Sequence, residues 1–122
     1  MRLADLQLSS RDGAVIAQVT GEIDMSNAVE LREAIADYTP NDSLGVVLDF
    51  ASVDYVDSAG IHMIYRLGES LRQRRLALRI VIPPGSAASD ALRLAGIKRH
   101  ADAVGEVDEG LRELATSAST DF

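Results

Sequence analysis

The sequence contains no cysteine and no tryptophan, and aromatic residues make up only 4% of its 122 residues. Without cysteine the chain has no disulfide framework and no thiolate nucleophile, and it lacks the ligands of most structural zinc sites. With so few aromatic side chains, its core has to be built from alanine, valine, leucine and isoleucine. The lack of cysteine also fits a protein of a reducing compartment.

Long apolar segments are missing as well. Asp5 interrupts the N-terminal region before an apolar run develops, and nowhere does the sequence hold a run of about 18 apolar residues. This pattern predicts neither a transmembrane helix nor a signal peptide. We therefore expect a cytoplasmic protein that does not use a membrane.

Positive charge is scarce: 12 Lys and Arg residues stand against 19 Asp and Glu residues, which gives a formal net charge of −7. Such a balance repels phosphate backbones unless the basic residues cluster on one face. The one dense cluster is Arg72, Arg74 and Arg75. A cluster of this size at a helix end is typical of a solvated terminus that complements the helix dipole. We therefore expect no nucleic-acid partner.

Hydrophobic periodicity predicts one α/β domain. Short apolar runs predict strands at 3–8, 14–19, 44–50 and 76–82, the first two joined by a turn at Gly13 and the third central in the sheet. Apolar residues at helical spacing predict four helices, through 28–38, 61–71, 88–95 and 107–114. The strand, helix, strand order implies a parallel crossover. The predicted fold is a mixed, mostly parallel β-sheet of four to five strands with about four helices packed on it.

Polar residues beside the predicted helices suggest how these helices begin and end. Asn27, with Glu30 three residues later, fits an N-cap and its partner in the first helix. Ser86 or Ser89 is available to cap the third helix. Gly96 and Ile97 fit a left-handed C-terminal stop with a hydrophobic contact.

Ser58 lies where the central strand leads into the second helix, in the segment Asp57-Ser58-Ala59-Gly60. Ligands and partners commonly bind at such connections in open α/β sheets. One interpretation is structural: the Ser58 hydroxyl caps the helix by accepting from an N–H group two or three residues on. The other is that Ser58 accepts a phosphoryl group, whose charge a helix N-terminus with free N–H groups stabilises. These residues alone leave both interpretations open.

Four segments resemble, in order and spacing, the bacterial anti-sigma factor antagonists of the STAS-domain family: Gly21–Asp24, Val46–Phe50, Val53–Ile61 and Ala91–Ile97. The resemblance covers residues 3–115 and implies a single STAS-type domain there. Residues 116–122 have the small, polar composition of a frayed C-terminal tail.

What the resemblance implies is partner switching in transcription regulation, as in stress responses. The unphosphorylated antagonist binds an anti-sigma factor that is also a serine kinase, and this frees a sigma factor to engage RNA polymerase. Phosphorylation by that kinase, with ATP, ends the interaction, and a serine phosphatase of the PP2C type restores it. The chain itself is then expected to be neither an enzyme nor a cofactor-binding protein, and a monomer or weak dimer.

Carried over to this sequence, the phosphorylated serine of the family is Ser58, and Asp24 lies in the loop beside it, where it is alternatively only a turn residue. Ala59 replaces a frequent Ser or Thr, while Gly60 and Ile61 match residues that let the turn pack. The expected partner-binding residues are Asp24, Asp57, Ser58, Ala59, Gly60, Ile61 and His62.

His62 departs from the family pattern, which often has glycine there. Because residues four apart share a helix face, Ser58 and His62 also suggest a nucleophile and a base. No Gly-x-Ser-x-Gly segment is present, and His100 has no orienting acid nearby in sequence. Two distant histidines without cysteine also do not make a metal site. We therefore expect no catalytic and no metal-binding residues.

A second hypothesis keeps the fold and changes the function. In it the chain is a constitutive STAS subunit of a transporter or a larger stress-sensing complex, and Ser58 is only a helix cap. Neighbouring genes distinguish the two hypotheses, because a sigma factor, kinase or phosphatase gene favours the switch and transporter genes favour the scaffold.

Overall fold

A computed structural model describes residues 4–94, 96 and 102–120 of the chain. These residues form five strands and four helices. In chain order they are β1 (Ala4–Arg11), β2 (Ala14–Ile23), α1 (Ala28–Tyr38), β3 (Gly45–Val56), α2 (Ser58–Gln73), β4 (Ala77–Val81), α3 (Ser89–Leu94), β5 (Asp102–Val104) and α4 (Val107–Thr120).

The strands form one sheet in the order β1-β2-β3-β4-β5. β1 pairs with β2 antiparallel, and the remaining neighbours all pair parallel. The hairpin turn at Asp12 and Gly13 has positive φ angles of 56° and 83°, as a tight turn between twisted strands requires. The predicted hairpin, the central position of β3 and the mixed, mostly parallel sheet are confirmed.

Helices cover both faces of the sheet. α1, α2 and α3 pack on one face over an aliphatic core that includes Phe50, Ile64 and Leu92. Of the described helices, α4 packs on the other face, where Leu111 and Leu114 belong to one apolar cluster with Val47 and Val81 of the sheet. Because α1 and α2 follow β2 and β3, both helices begin at the same edge of the sheet. No helix in the described ranges combines the length and apolar character needed to cross a membrane.

Element boundaries differ from the prediction in three places. β3 continues beyond the predicted end at residue 50 and ends at Val56. In this second half only Val53 and Val56 are buried, so the sequence there has no continuous apolar run that would predict a strand. The predicted count of four to five strands allowed for β5, but its position was not predicted; it has three residues and pairs parallel with β4. α4 continues to Thr120, into the segment whose composition indicates a frayed tail. The domain boundary at residue 115 remains a prediction.

The polar residues beside α1 do not form the predicted capping box. Asn27 makes no side-chain cap to the helix; its Oδ1 instead accepts from the Asp24 N–H at 3.1 Å, and its Nδ2 donates to the Glu22 carbonyl. At α3, the buried Ser86 hydroxyl has no hydrogen-bond partner in the described structure, so it is not the cap either. Gly96 has the left-handed φ of 68° expected at a helix stop, whereas Ile97 lies outside the described residues.

The arginine cluster at the end of α2 is only partly a solvated terminus. Arg72 and Arg75 are exposed, but Arg74 is half-buried. Its guanidinium donates to Asn41 Oδ1 at 2.7 Å, to the Ala36 carbonyl at 3.2 Å and to the Thr39 carbonyl. Arg74 therefore joins the C-terminal ends of α1 and α2.

Candidate functional site

The candidate site lies at the carboxyl ends of β2 and β3. The two strands are paired in parallel up to Ile23 and Val56. Beyond them the chain turns into α1 and α2, and the Asp57 N–H donates to the Ile23 carbonyl at 3.2 Å. The loop with Asp24 and the start of α2 are therefore neighbours, as the sequence predicts.

Asp57 is the N-cap of α2. It has extended backbone angles, and its Oδ1 accepts from the N–H groups of Ala59 at 2.8 Å and Gly60 at 3.2 Å. A carboxylate here also interacts favourably with the positive end of the helix dipole. The start of α2 is thus fixed without any contribution from a serine hydroxyl.

Ser58 is the first residue of α2, and its side chain is exposed. The interpretation of Ser58 as a helix cap is therefore wrong, because Asp57 makes the capping bonds. The same bonds change the surroundings expected for a phosphoryl group on Ser58. Two of the N–H groups available to stabilise its charge are already occupied by a carboxylate.

Gly60 and its neighbours hold α2 against the strand ends. Gly60 is buried, and a Cβ atom at this position would lie 2.6 Å from Val56 Cγ1 and 3.0 Å from Ile23 Cγ2. Ile61 and Ala59 are half-buried and pack against the same core. Gly60 consequently has a packing role and offers no surface to a partner, while Ala59 and Ile61 each keep part of their surface accessible.

Asp24 organises the loop between β2 and α1. Its Oδ1 accepts from the Ser26 N–H at 2.8 Å and from the Ser26 hydroxyl at 2.6 Å. Its carbonyl accepts from the N–H groups of Asn27 and Ala28. Asp24 is therefore a turn residue in the loop beside Ser58, and its carboxylate remains half-exposed.

His62 is exposed and lies one helical turn beyond Ser58. Its Nε2 accepts from the Arg66 Nε at 3.2 Å, so the hydrogen bond that it makes in this structure does not activate a nucleophile. Within the described residues, no group of three or more His, Asp or Glu side chains is placed to hold a metal ion. His100 lies outside those residues.

A groove of about 370 Å³ lies between α1 and α2, and Ala59, the residue after Ser58, is part of its lining. Its walls include Met25, Val29 and Arg32 on one side and His62, Met63 and Arg66 on the other. Of these six residues only His62 was predicted from the sequence to belong to the site. The sequence contains only weak signs of the other five: Val29 lies off the buried stripe of α1, and Arg66 follows His62 at four-residue spacing.

Comparison with known proteins gives a consistent family and fold. The sequence model of the STAS domain matches residues 5–109. The chain is 32% identical over 68 residues, 56% of its length and 59% of the relative's, to a candidate anti-sigma factor antagonist, BtrV, of Bordetella bronchiseptica. It is 26% identical over 66 residues to the anti-sigma-F factor antagonist RsfB of Mycobacterium tuberculosis, 54% of each chain.

A solved structure of an anti-sigma factor antagonist from Mycobacterium paratuberculosis superposes with a TM-score of 0.81 at 23% identity. The superposition covers 92% of this chain and 94% of that one. At this identity the likeness concerns the fold alone. The matches to the two curated relatives span only a little more than half of their lengths.

Proposed function

Because the chain belongs to the STAS domain family, we propose that it is an anti-sigma factor antagonist whose binding to an anti-sigma factor is controlled by phosphorylation of Ser58. Family membership confirms the resemblance found in the sequence. The two curated relatives described above are named as antagonists of this kind, one of them as a candidate. In this proposal the chain is a regulatory binding protein and not an enzyme.

The observation that carries the proposal is that the Ser58 side chain is exposed while Asp57 caps the helix. A kinase can then reach the hydroxyl without unwinding the first turn of α2. The anti-sigma factor is the proposed kinase, with ATP as phosphoryl donor, and a PP2C-type phosphatase is proposed to remove the group.

The effect of the modification follows from its charge. A phosphoryl group adds about −1.5 to −2 charges at neutral pH. The adjacent Asp57 carboxylate already occupies the N–H groups of Ala59 and Gly60, so the new charge finds few donors at the helix start and faces outward. We expect it to break contacts that fit the neutral hydroxyl while the fold stays intact.

The other surface residues predicted for this site have supporting roles in the proposal. The exposed His62 and the accessible parts of Ala59 and Ile61 extend the surface of α2 next to Ser58, and Asp24 shapes the adjacent loop. Asp57 fixes the helix start that presents the serine. We therefore propose that the partner-binding surface consists of the start of α2 together with the Asp24 loop.

The proposal is tested with the anti-sigma factor captured from the native cells and identified by mass spectrometry. Incubation with this protein and ATP should label the wild-type chain at Ser58 and weaken the complex. Ser58→Ala should not be labelled, whereas the exposed control Ser52→Ala should be labelled like the wild type. Unchanged labelling of Ser58→Ala would show that the phosphorylation site lies elsewhere.

Ser58→Asp should weaken the complex less than phosphorylation does, because one carboxylate carries less charge and fewer acceptor oxygens than phosphate. The dissociation constant of this variant is measured beside that of the phosphorylated chain. Wild-type affinity of Ser58→Asp would contradict a switch based on charge.

A further inference from the structure

The groove between α1 and α2 has an apolar side that solvent reaches. Met25 is 85% exposed and Val29 is 55% exposed, and both line the groove together with the buried Met63. Adjacent exposed apolar side chains around a concave surface are typical of a binding site for another protein. Methionine suits such a surface because its flexible side chain adapts to different shapes.

The same groove is positively charged, although the chain as a whole carries −7. Arg32 reaches it from α1, and Arg66 and His62 reach it from α2, while none of the described residues that line it is Asp or Glu. The ion pairs between described residues involve neither Arg32 nor Arg66. Two guanidinium groups that form no ion pair with a described acidic residue therefore face this groove on an otherwise acidic protein.

Ser58 does not itself line this groove but directly precedes Ala59, which does. Ala59, His62, Met63 and Arg66 line it from α2, and their spacing of three and four residues places them on one helix face. Ser58 precedes Ala59 directly and stands one turn before His62, at about 6 Å between Cβ atoms.

We propose that this groove binds an acidic, amphipathic segment of the anti-sigma factor. The segment places a carboxylate between Arg32 and Arg66 and apolar side chains on Met25 and Val29. This inference rests on the proposed function, to which it adds the chemistry of the partner. Charge complementarity selects an acidic segment, since planar guanidinium groups bind carboxylates with paired hydrogen bonds.

The inference also names the group that a phosphoryl group on Ser58 would repel, which is the carboxylate of the partner. Ser58 precedes Arg66 by about 12 Å along the axis of α2, so a phosphate on Ser58 adds negative charge to the same helix without touching the partner's carboxylate. Like charges placed together at an interface disfavour the complex strongly.

The test measures the dissociation constant of the complex with the captured anti-sigma factor by isothermal titration calorimetry. Arg66→Glu and Arg32→Glu should each weaken binding about tenfold or more, because each replaces an attraction by a repulsion. Arg112→Glu is the matched control: it makes the same change in net charge on the exposed side of α4, and its affinity should stay within about threefold of wild type. Thermal unfolding establishes that each variant is folded.

Two further measurements separate the charged and apolar parts of the groove. Wild-type binding should weaken as salt is raised, and Arg66→Glu should lose most of this dependence. Met25→Ser should weaken binding several-fold without changing the salt dependence. Replacing the partner's acidic residue by Lys should restore affinity for Arg66→Glu.

The outcomes distinguish this inference from the proposed function. If both groove reversals bind like the Arg112→Glu control while Ser58 is still phosphorylated, the groove inference is wrong and the switch stands. If the reversals weaken the complex but Ser58 is never labelled, the groove stands and phosphorylation at Ser58 is wrong. Failure of every acidic-to-Lys change on the partner to restore binding would also overturn the acidic occupant.

Discussion

Replacing Gly60 by alanine gives a test in which helix propensity and packing predict opposite signs. Alanine is favoured over glycine inside a helix by about 1 kcal/mol. At this position, however, the added Cβ would lie 2.6 Å from Val56 Cγ1 and 3.0 Å from Ile23 Cγ2, whereas carbon atoms prefer separations of about 3.5 to 4.0 Å. Both neighbours are buried core residues that have little room to move.

Overpacking of this kind costs about 1 to 3 kcal/mol. Since the shortest contact is well inside van der Waals distance, we expect a cost in the upper part of this range, about 2 to 3 kcal/mol, which exceeds the gain in propensity of about 1 kcal/mol. Gly60→Ala should lower the free energy of unfolding by about 1 to 2 kcal/mol, which lowers the melting temperature by roughly 3 to 8 °C for a domain of this size. Urea and thermal unfolding followed by circular dichroism measure both quantities.

Gly105→Ala is the matched control, because the nearest atom to a Cβ there is Glu109 Oε1 at 3.7 Å. Its stability should stay within about 0.5 kcal/mol of wild type. In the background of Val56→Ala, which removes the Cγ1 atom, Gly60→Ala should cost less than it does alone. A Gly60→Ala protein as stable as wild type, with no coupling to position 56, would refute the close approach of α2 to the strand ends.

Three further substitutions test the start and the end of α2. Asp57→Ala removes the cap and should lower the free energy of unfolding in urea by about 1 kcal/mol. Asp57→Asn and the exposed control Asp54→Ala should each lower it less, and equal stability of all three variants would contradict the cap. Ser58→Ala should leave the melting temperature unchanged, because the serine does not cap, and a loss of about 1 kcal/mol would restore the capping interpretation. Arg74→Ala should cost about 1 to 2 kcal/mol through its lost hydrogen bonds, and Arg72→Ala less than about 0.5 kcal/mol; similar losses for both arginines would count against the link to α1.

Patterns that act over a few residues predicted most of the fold. Gly13 marked the hairpin, and the apolar run ending at Phe50 marked the central strand, because burial on both faces requires continuous apolar residues. The second half of β3 was missed since two inward residues among exposed ones leave no such run. β5 was missed because three residues carry too little pattern and parallel pairing with β4 determines the strand.

The candidate site was predictable in part for the same reason. The segment from Asp57 to Ile61 is local, so its residues could be singled out together. Which of two adjacent polar residues caps α2 depends on backbone angles, and the structure assigns that role to Asp57. The groove needs α1 and α2 to lie side by side, and no local pattern brings Arg32 close to Arg66.

Asp57 caps α2 and Ser58 carries the exposed hydroxyl, and this separation of roles affects how the protein can evolve. The residue that fixes the helix start and the residue that carries the hydroxyl are different, although they are adjacent. Under the proposed switch, a single codon change at position 58 therefore removes or restores the regulatory input without a folding penalty. Lineages can retune the control of such a protein while inheriting its scaffold unchanged.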